Sequence, residues 1–567
     1  MAGRYKSFFL TCFYAIFKVQ LLHMSKALTL VFVFFLSITS LFSQTVNFTS
    51  SNLPIVIINT NGQDIVDEPK IMADMGMINN PNGARNNVTD PFNEYNGRIG
   101  IEIRGESSQM FPMKSYSIEL RKESGSSQDL PMLGMPKESD WVLYAPYTDK
   151  TLMRNFLAYT MSRELGHWAA NCRFVEVMIN GDYKGIYVFM EKIKRNANRV
   201  NIPKMAKTDI SGDAVTGGYI FALDKEPDGW FSAFKPNNAS NNNTRQFTYT
   251  YPKVADIVQE QKDYIKSYVD SFEAALRGPQ YQDPVNGVRK FADISSFIDY
   301  FIVNEVSRNV DGYRLSTYFY KNRNSINRKI IAGPAWDYDL AFRNANYCSG
   351  SDVFGWAYLF NYVCPGDGAG LIPFWWERLM TDTAYTSELR CRWKSVRQNS
   401  LSLTRVNQLI DSVNNLVSEA QQRHFTRWPV LGQYVWPNPN PIPTSYAGEI
   451  SQLKSWISAR IDWIDNNLPN AGACADWPTG KPGTMIVSAY PNPFTGAGVL
   501  YIQSKENQTV QMQSVDISGR NISTRKIDLR TGNNTVSLQA QNWPAGVYFI
   551  RLMNDKGEKV LEKMVKK

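Results

Sequence analysis

The stretch "DGYRLSTYFYKNRNSINRKIIAGPAWDYDLAF", residues 311–342, decides the reading of this chain. It holds two strand-like runs, "STYFYKN" and "RKIIAGPA", separated by the turn-forming "RNSIN". Such a pattern predicts an antiparallel hairpin, whose two ends lie one strand spacing apart, about 4.8 Å. Asp311 before the first strand and Asp337 after the second, 337 − 311 = 26 residues apart, are therefore expected to be neighbours, with Asp339 one alternation further on. Carboxylates set among apolar residues are costly unless a partner meets them. Three partners are open at this point: a metal ion, an arginine such as Arg308, Arg314 or Arg343, or solvent.

Upstream, "DISSFIDYFIVNEVSRN" has apolar residues at Ile294, Phe297, Ile298, Phe301, Ile302 and Val306, which predicts a helix with one buried face that delivers Asp311 at its exit. "DKTLMRNFLAYTMSRELG", residues 149–166, begins at an aspartate and stops at glycine, the signature of another helix. Before it the chain is mainly strand: "LPIVIINTNGQDI", "GRIGIEIRGESSQMFPMKSYSIELRK" and the hairpin "RFVEVMINGDYKGIYVFMEKI", turning at Asn180-Gly181. "GGYIFALD", residues 217–224, is one more strand. Helices follow over "DIVQEQKDYIKSYVDSFEAALRGP" and near 374–399, 404–424 and 447–468. The fold class is α+β, sheet first and helix after.

At 567 residues the chain exceeds what one core usually serves. Residues 1–44 read as a leader: "MSKALTLVFVFFLSITSLFSQ" has the basic start, short apolar run and small-residue end of a secretory signal, with Met24 as an alternative first residue. Residues 45–469 form the main domain, 470–484 a Pro/Gly-rich linker, and 485–567 a small β-sandwich of short strands. No run in the expected mature chain is long and apolar enough to span a bilayer. The net charge of +9 is scattered, which argues against nucleic-acid binding. With the leader removed, only His167 and His424 remain, so acid–base chemistry falls to Asp, Glu, Lys or Tyr. No Cys-x-x-Cys occurs, which argues against structural zinc. Export permits disulfides, and Cys348 with Cys364 is the expected pair.

Clustered carboxylates are what divalent-metal phosphoryl transfer uses: one orients or deprotonates the attacking hydroxyl, others hold Mg²⁺ or Mn²⁺ against the phosphates. In "KSYSIEL" the alternation places Lys114 on the face of Tyr116, Ile118 and Leu120, where a lysine is unusual. It can bind nucleotide phosphates or snorkel to water at the strand edge. Glu191 and Lys192 could partner either reading.

Several phrases together resemble the CotH kinase-like family: "IRGESSQMFPMKSYSIEL", "WVLYAPYTDKTLMRNFLAYTMSRELG", "VEVMINGDYKGIYVFMEKIK", "FIVNEVSRNVDGYRLSTYFYKN" and "AGPAWDYDLAF", in order over about residues 95–345. The resemblance implies an atypical protein-kinase-like domain with a β-rich N-lobe and helical C-lobe. It also implies transfer of phosphate from ATP to protein Ser/Thr or another surface acceptor. By position, Asp311 matches the catalytic aspartate, and Asp337 with Asp339 the metal-binding segment. Arg104 and Lys114 fall in a segment expected to contact nucleotide, with Glu191 as a further candidate. The chain departs from the family at Arg314, Leu315 and Ser316, where His or Asn is common, and at Arg343, where glycine is common. The tail phrases "YPNPF", "DISGR", "PAGVYFIRL" and "KMVKK" resemble a type nine secretion sorting domain. That implies recognition by outer-membrane secretion machinery and release or attachment at the cell surface. Two other readings are a non-catalytic adhesin or binding module on the same fold, and a carbohydrate-active enzyme using paired carboxylates.

Overall fold

The computed structural model describes residues 46–225, 228–364, 366, 370–469, 485–490, 494, 498–504, 506–516, 521–555 and 559–567. The expected leader and linker lie outside these residues. The chain divides into two compact units, up to Gly472 and from Ala473 onward.

Seven strands of the first unit close into a barrel: β1 (Ile55–Asn59), β2 (Ile71–Ile78), β3 (Tyr95–Arg104), β4 (Ser115–Arg121), β5 (Asp140–Tyr144), β6 (Cys172–Ile179) and β7 (Asp182–Glu191). The order around it is β6-β7-β5-β4-β3-β2-β1. Parallel pairing of β6 with β1, Val177 against Val56, makes the closure and leaves no edge exposed. Alternate residues such as Ile99, Ile101, Ile118, Leu120, Trp141 and Phe189 fill the interior. The β6–β7 turn is Asn180-Gly181, both at positive φ, as its sequence predicts.

A second sheet combines β8 (Tyr219–Leu223), β9 (Gly229–Phe231), β10 (Gln246–Tyr251), β11 (Thr317–Lys321) and β12 (Ile330–Ala332) in the order β9-β10-β8-β11-β12. The hairpin read from residues 311–342 is present: Phe319 pairs Ala332 and Lys321 pairs Ile330, antiparallel. The helices include α1 (Arg154–Glu164), α2 (Gln259–Arg277), α3 (Ile294–Ser307), α4 (Thr383–Arg397), α5 (Leu403–Leu416) and α6 (Tyr446–Asn467). The Asp293 side chain caps α3 by accepting from the Ser296 N–H. The one-faced amphipathic expectation for α3 needs correction. All its residues except Ser295 are buried, because α1, α4 and α6 pack around it. Its polar residues Asn304 and Glu305 are buried with partners instead of facing solvent. The expected Cys348–Cys364 disulfide is formed.

The second unit consists, among its described residues, of a three-stranded and a four-stranded antiparallel sheet. Its core includes Leu500, Ile550, Leu552 and Met564. The Lys566 ammonium donates to the carbonyls of Ala540, Gln541 and Trp543, which ties down the last strand. Among the described residues no helix is long and apolar enough to cross a membrane.

Candidate active site

A cleft of about 540 Å³ opens where the barrel, the second sheet and the exit of α3 meet. The barrel contributes Arg104 at the end of β3 and Tyr144 at the end of β5. The second sheet contributes Asp224 just past β8, the α3–β11 connection Asp311, and the chain after β12 Asp337 and Asp339. The geometry expected from the hairpin therefore holds: three predicted acids share one cleft.

The segment "WDYD" is clamped from both sides. Trp336 and Tyr338 are buried, whereas Asp337 and Asp339 both line the cleft. From α1, Asn155 and Tyr159 stand one helical turn apart on one face. The Tyr338 N–H donates to the Asn155 side-chain Oδ1 at 2.6 Å, and the Asp337 N–H donates to the Tyr159 hydroxyl at 3.1 Å. Asn344 donates to the Asp339 carbonyl at 2.8 Å and Asn309 to the Asp337 carbonyl at 3.3 Å. Asp337 itself has φ +63°, a left-handed conformation that a non-glycine residue holds only when its surroundings impose it.

The acids act on one another. Burial, and then the charge of Asp311, pushes Asp337 up to about 6, although part of its side chain reaches solvent within the cleft. Burial, then Asp337, raises Asp339 well above the ordinary aspartate value. Burial also raises Asp311 and Asp224. Like charges in a confined space disfavour simultaneous ionisation. Ser316, on the same cleft wall, partly offsets the rise at Asp224 and Asp337.

Of the three arginines available to neutralise the acids, one does so. Arg314 Nη2 lies 3.2 Å from Asp311 Oδ1. Arg308 donates to the Ser349 carbonyl and Arg343 to Gln452 and the Pro441 carbonyl. Arg343 sits at φ +80°, a left-handed conformation that glycine adopts without strain.

Arg104 lines the cleft, stacked over Trp336 at 5.5 Å, and its Nη1 is buried with no hydrogen-bond partner. The loop after it, Gly105 to Ser108, forms one wall. Gly105 has φ +94°, and a Cβ there would sit 2.0 Å from the Ser108 hydroxyl, so this turn requires glycine. Lys114 and Glu191 are placed elsewhere than the cleft lining. Lys114 precedes β4 instead of lying within it, and its ammonium donates to the Gln109 carbonyl of its own loop. Glu191 is buried under the barrel end, accepting from Asn171 at 2.8 Å with Arg199 3.8 Å away. The two do not pair with each other. Sequence reasoning missed Asp224, Lys225 and Tyr144, all on the cleft wall. The available signal for Asp224 was its position directly after an all-apolar strand, "YIFAL".

Among the described residues, no three His, Cys, Asp or Glu side chains already converge as a ready-made metal cage. The four cleft aspartates are hard oxygen donors, the chemistry that suits Mg²⁺ or Mn²⁺. Mg²⁺ in particular is usually held by one or two carboxylates plus phosphate oxygens and water. The unpartnered Arg104 Nη1 adds a donor for an anionic group.

A closed barrel and a helical region joined across an acid-lined cleft define an α+β protein with a candidate site for a cation and an anionic ligand. The chain belongs to the CotH kinase protein family, whose model matches residues 101–464. Residues 488–567 match the secretion system C-terminal sorting domain, so this is an exported CotH-type protein. No curated protein matches it. Among solved structures, a DUF3244 family protein with an immunoglobulin-like β-sandwich from Bacteroides vulgatus is 13% identical, covering 14% of this chain and 96% of that one, with a TM-score of 0.11. A β-glucosidase from Listeria innocua is 11% identical over 14% of this chain and 16% of that one, also with a TM-score of 0.11. Scores this low carry no argument about fold or activity.

Proposed function

We propose that this protein is an exported kinase on an atypical two-lobed kinase-like fold, transferring the terminal phosphoryl group of ATP to a hydroxyl of a protein Ser/Thr or another surface acceptor. The observation that carries the reading is the gathering of Asp311, Asp337, Asp339 and Asp224 around one cleft that also holds Arg104. In this reading Asp311 orients the acceptor hydroxyl and takes its proton. The hydroxyl oxygen bonds to the terminal phosphorus, the bond from that phosphorus to the bridging oxygen breaks, and ADP leaves with the electron pair. Asp337 and Asp339 would hold Mg²⁺ or Mn²⁺, with Asp224 beside them. Bound there, the metal would neutralise phosphate charge. Arg104 binds phosphate oxygens beside the Gly105–Ser108 loop that forms one wall of the cleft.

The test is labelled ATP with Mn²⁺ or Mg²⁺ on the full chain beside Asp311→Ala. Transfer by the parent and none by the variant supports the reading; equal labelling, or none under any metal, sinks it. One observation favours a second reading, a non-catalytic binding module: Arg314 already pairs with Asp311. Arg314→Ser separates the two. A kinase in which this pair restrains the base gains or keeps activity, whereas a binding module stays silent.

The acids also set a pH dependence. Asp337 is raised from 3.8 to about 6 in the folded chain, so between those values the folded state holds more protons than the unfolded one. Stability contributed by this group is full below pH 3.8 and lost as pH rises through about 6. A divalent cation favours the ionised form. Mn²⁺ is therefore expected to raise the melting temperature at pH 7.5, with the gain shrinking below pH 6. A Mn²⁺ effect that does not depend on pH contradicts this assignment. Asp224→Asn is expected to weaken Mn²⁺ binding about tenfold in calorimetric titration, a loss typical of groups supporting a metal site.

A further inference from the structure

Tyr144 is the second buried donor without a partner on the wall of this cleft. Its hydroxyl is shielded from solvent and hydrogen-bonds to nothing, although the charges of Asp337 and Asp339 reach it. Tyr144 ends β5, where its backbone pairs with Val188 of β7. A buried polar group left unsatisfied is costly, and folded proteins keep few of them. Also on the barrel side of the cleft, Arg104 Nη1 is in the same condition. Two orphaned donors face a set of side chains that, when ionised, only accept. What is missing between them is a group rich in acceptor oxygens.

We propose that the Tyr144 hydroxyl, together with Arg104, receives the phosphate oxygens of a polyphosphate ligand, so that Tyr144 is a substrate-contacting residue of this cleft. The proposal rests on the nucleotide reading above and goes further by naming the group that contacts the phosphates from the barrel side. No transfer step passes through Tyr144: the phenol keeps its proton and donates it as a hydrogen bond. Because the phosphates would lie between the two donors and the aspartates, Tyr144 also sets how deeply they enter.

The experiment measures binding, not turnover. Full-length chain and Tyr144→Phe are titrated calorimetrically with inorganic tripolyphosphate in the presence of Mn²⁺, and with Mn²⁺ alone. Both are also melted without ligand. The variant is expected to bind tripolyphosphate about tenfold more weakly or worse, the loss of one hydrogen bond to a charged group. It is expected to bind Mn²⁺ alone as the parent does, and to melt at the same temperature or higher, since the hydroxyl removed had no partner. Equal tripolyphosphate affinity overturns the assignment of Tyr144 while leaving the nucleotide reading intact. A variant that melts several degrees lower, or does not fold, also overturns it, because the hydroxyl would then have a structural partner. A parent chain that binds no tripolyphosphate with any divalent metal overturns both.

Discussion

Asp337→Asn is expected to lower phosphoryl transfer by on the order of 10³-fold while leaving the chain as stable as before or more so. The two effects have one cause. In the folded protein Asp337 sits in the cleft, where desolvation and the charges of Asp311 and Asp224 raise its proton affinity although part of its side chain reaches solvent. Holding it ionised at neutral pH works against the fold. An amide of the same shape removes that repulsion, and also the charge a cation would need. The measurements are transfer from labelled ATP to the chain itself or to a Ser/Thr peptide pool, and thermal melting without ligand. A drop in melting temperature alongside the lost transfer would mean that Asp337 supports the fold, and the assignment of its carboxylate to chemistry would fail. Sites that trade stability for function behave in the expected way.

The second large effect is structural. Arg460→Met is expected to destabilise the first unit by about 3–5 kcal/mol, the cost of leaving one partner of a buried ion pair alone. Arg460 on α6 is fully buried and donates to the Glu305 carboxylate at 3.0 Å, to the Glu305 carbonyl at 2.7 Å, and to the carbonyls of Val353 and Gly355. Glu305 on α3 in turn accepts from the N–H groups of Ala357 and Tyr358 and from the Tyr313 hydroxyl at 2.9 Å. The pair thus joins α3, α6 and the 353–358 segment, and through Tyr313 it steadies the turn that carries Asp311. Urea unfolding followed by tryptophan fluorescence measures the loss. Because desolvation offsets most of what such a pair contributes, the double variant Glu305→Gln with Arg460→Met should recover part of it. A single-variant loss below about 1 kcal/mol would show that Glu305 finds another partner or takes up a proton without consequence.

Much of this architecture was legible because it is local. Asn180-Gly181 between two alternating runs specifies a two-residue hairpin whatever surrounds it. Asp293 caps α3 through its own neighbours. The strand pair after residue 311 needs only its turn and its β-branched and aromatic residues, and with it came the proximity of Asp311, Asp337 and Asp339. Lys114 shows where local reading stops. Parity with Tyr116 and Ile118 put it on the strand's apolar face, but the strand begins one residue later, and a lysine there turns back to a carbonyl of its own loop. The burial of α3 on every side was equally out of reach, since its polar residues Asn304 and Glu305 mark a solvent face until partners from Tyr338 and Arg460 are known.

Turn chemistry, side-chain periodicity and capping act over a few residues, and they specify the order of elements, the carboxylate-bearing hairpin and the separate β-rich tail. The meeting of Arg104, Tyr144 and Asp224 with those carboxylates in one cleft comes from long-range packing. That packing also decides that Arg314 takes Asp311 while Arg308 and Arg343 turn elsewhere. These outcomes depend on barrel closure through the parallel β1–β6 pairing and on contacts between residues more than a hundred positions apart, which no local rule encodes.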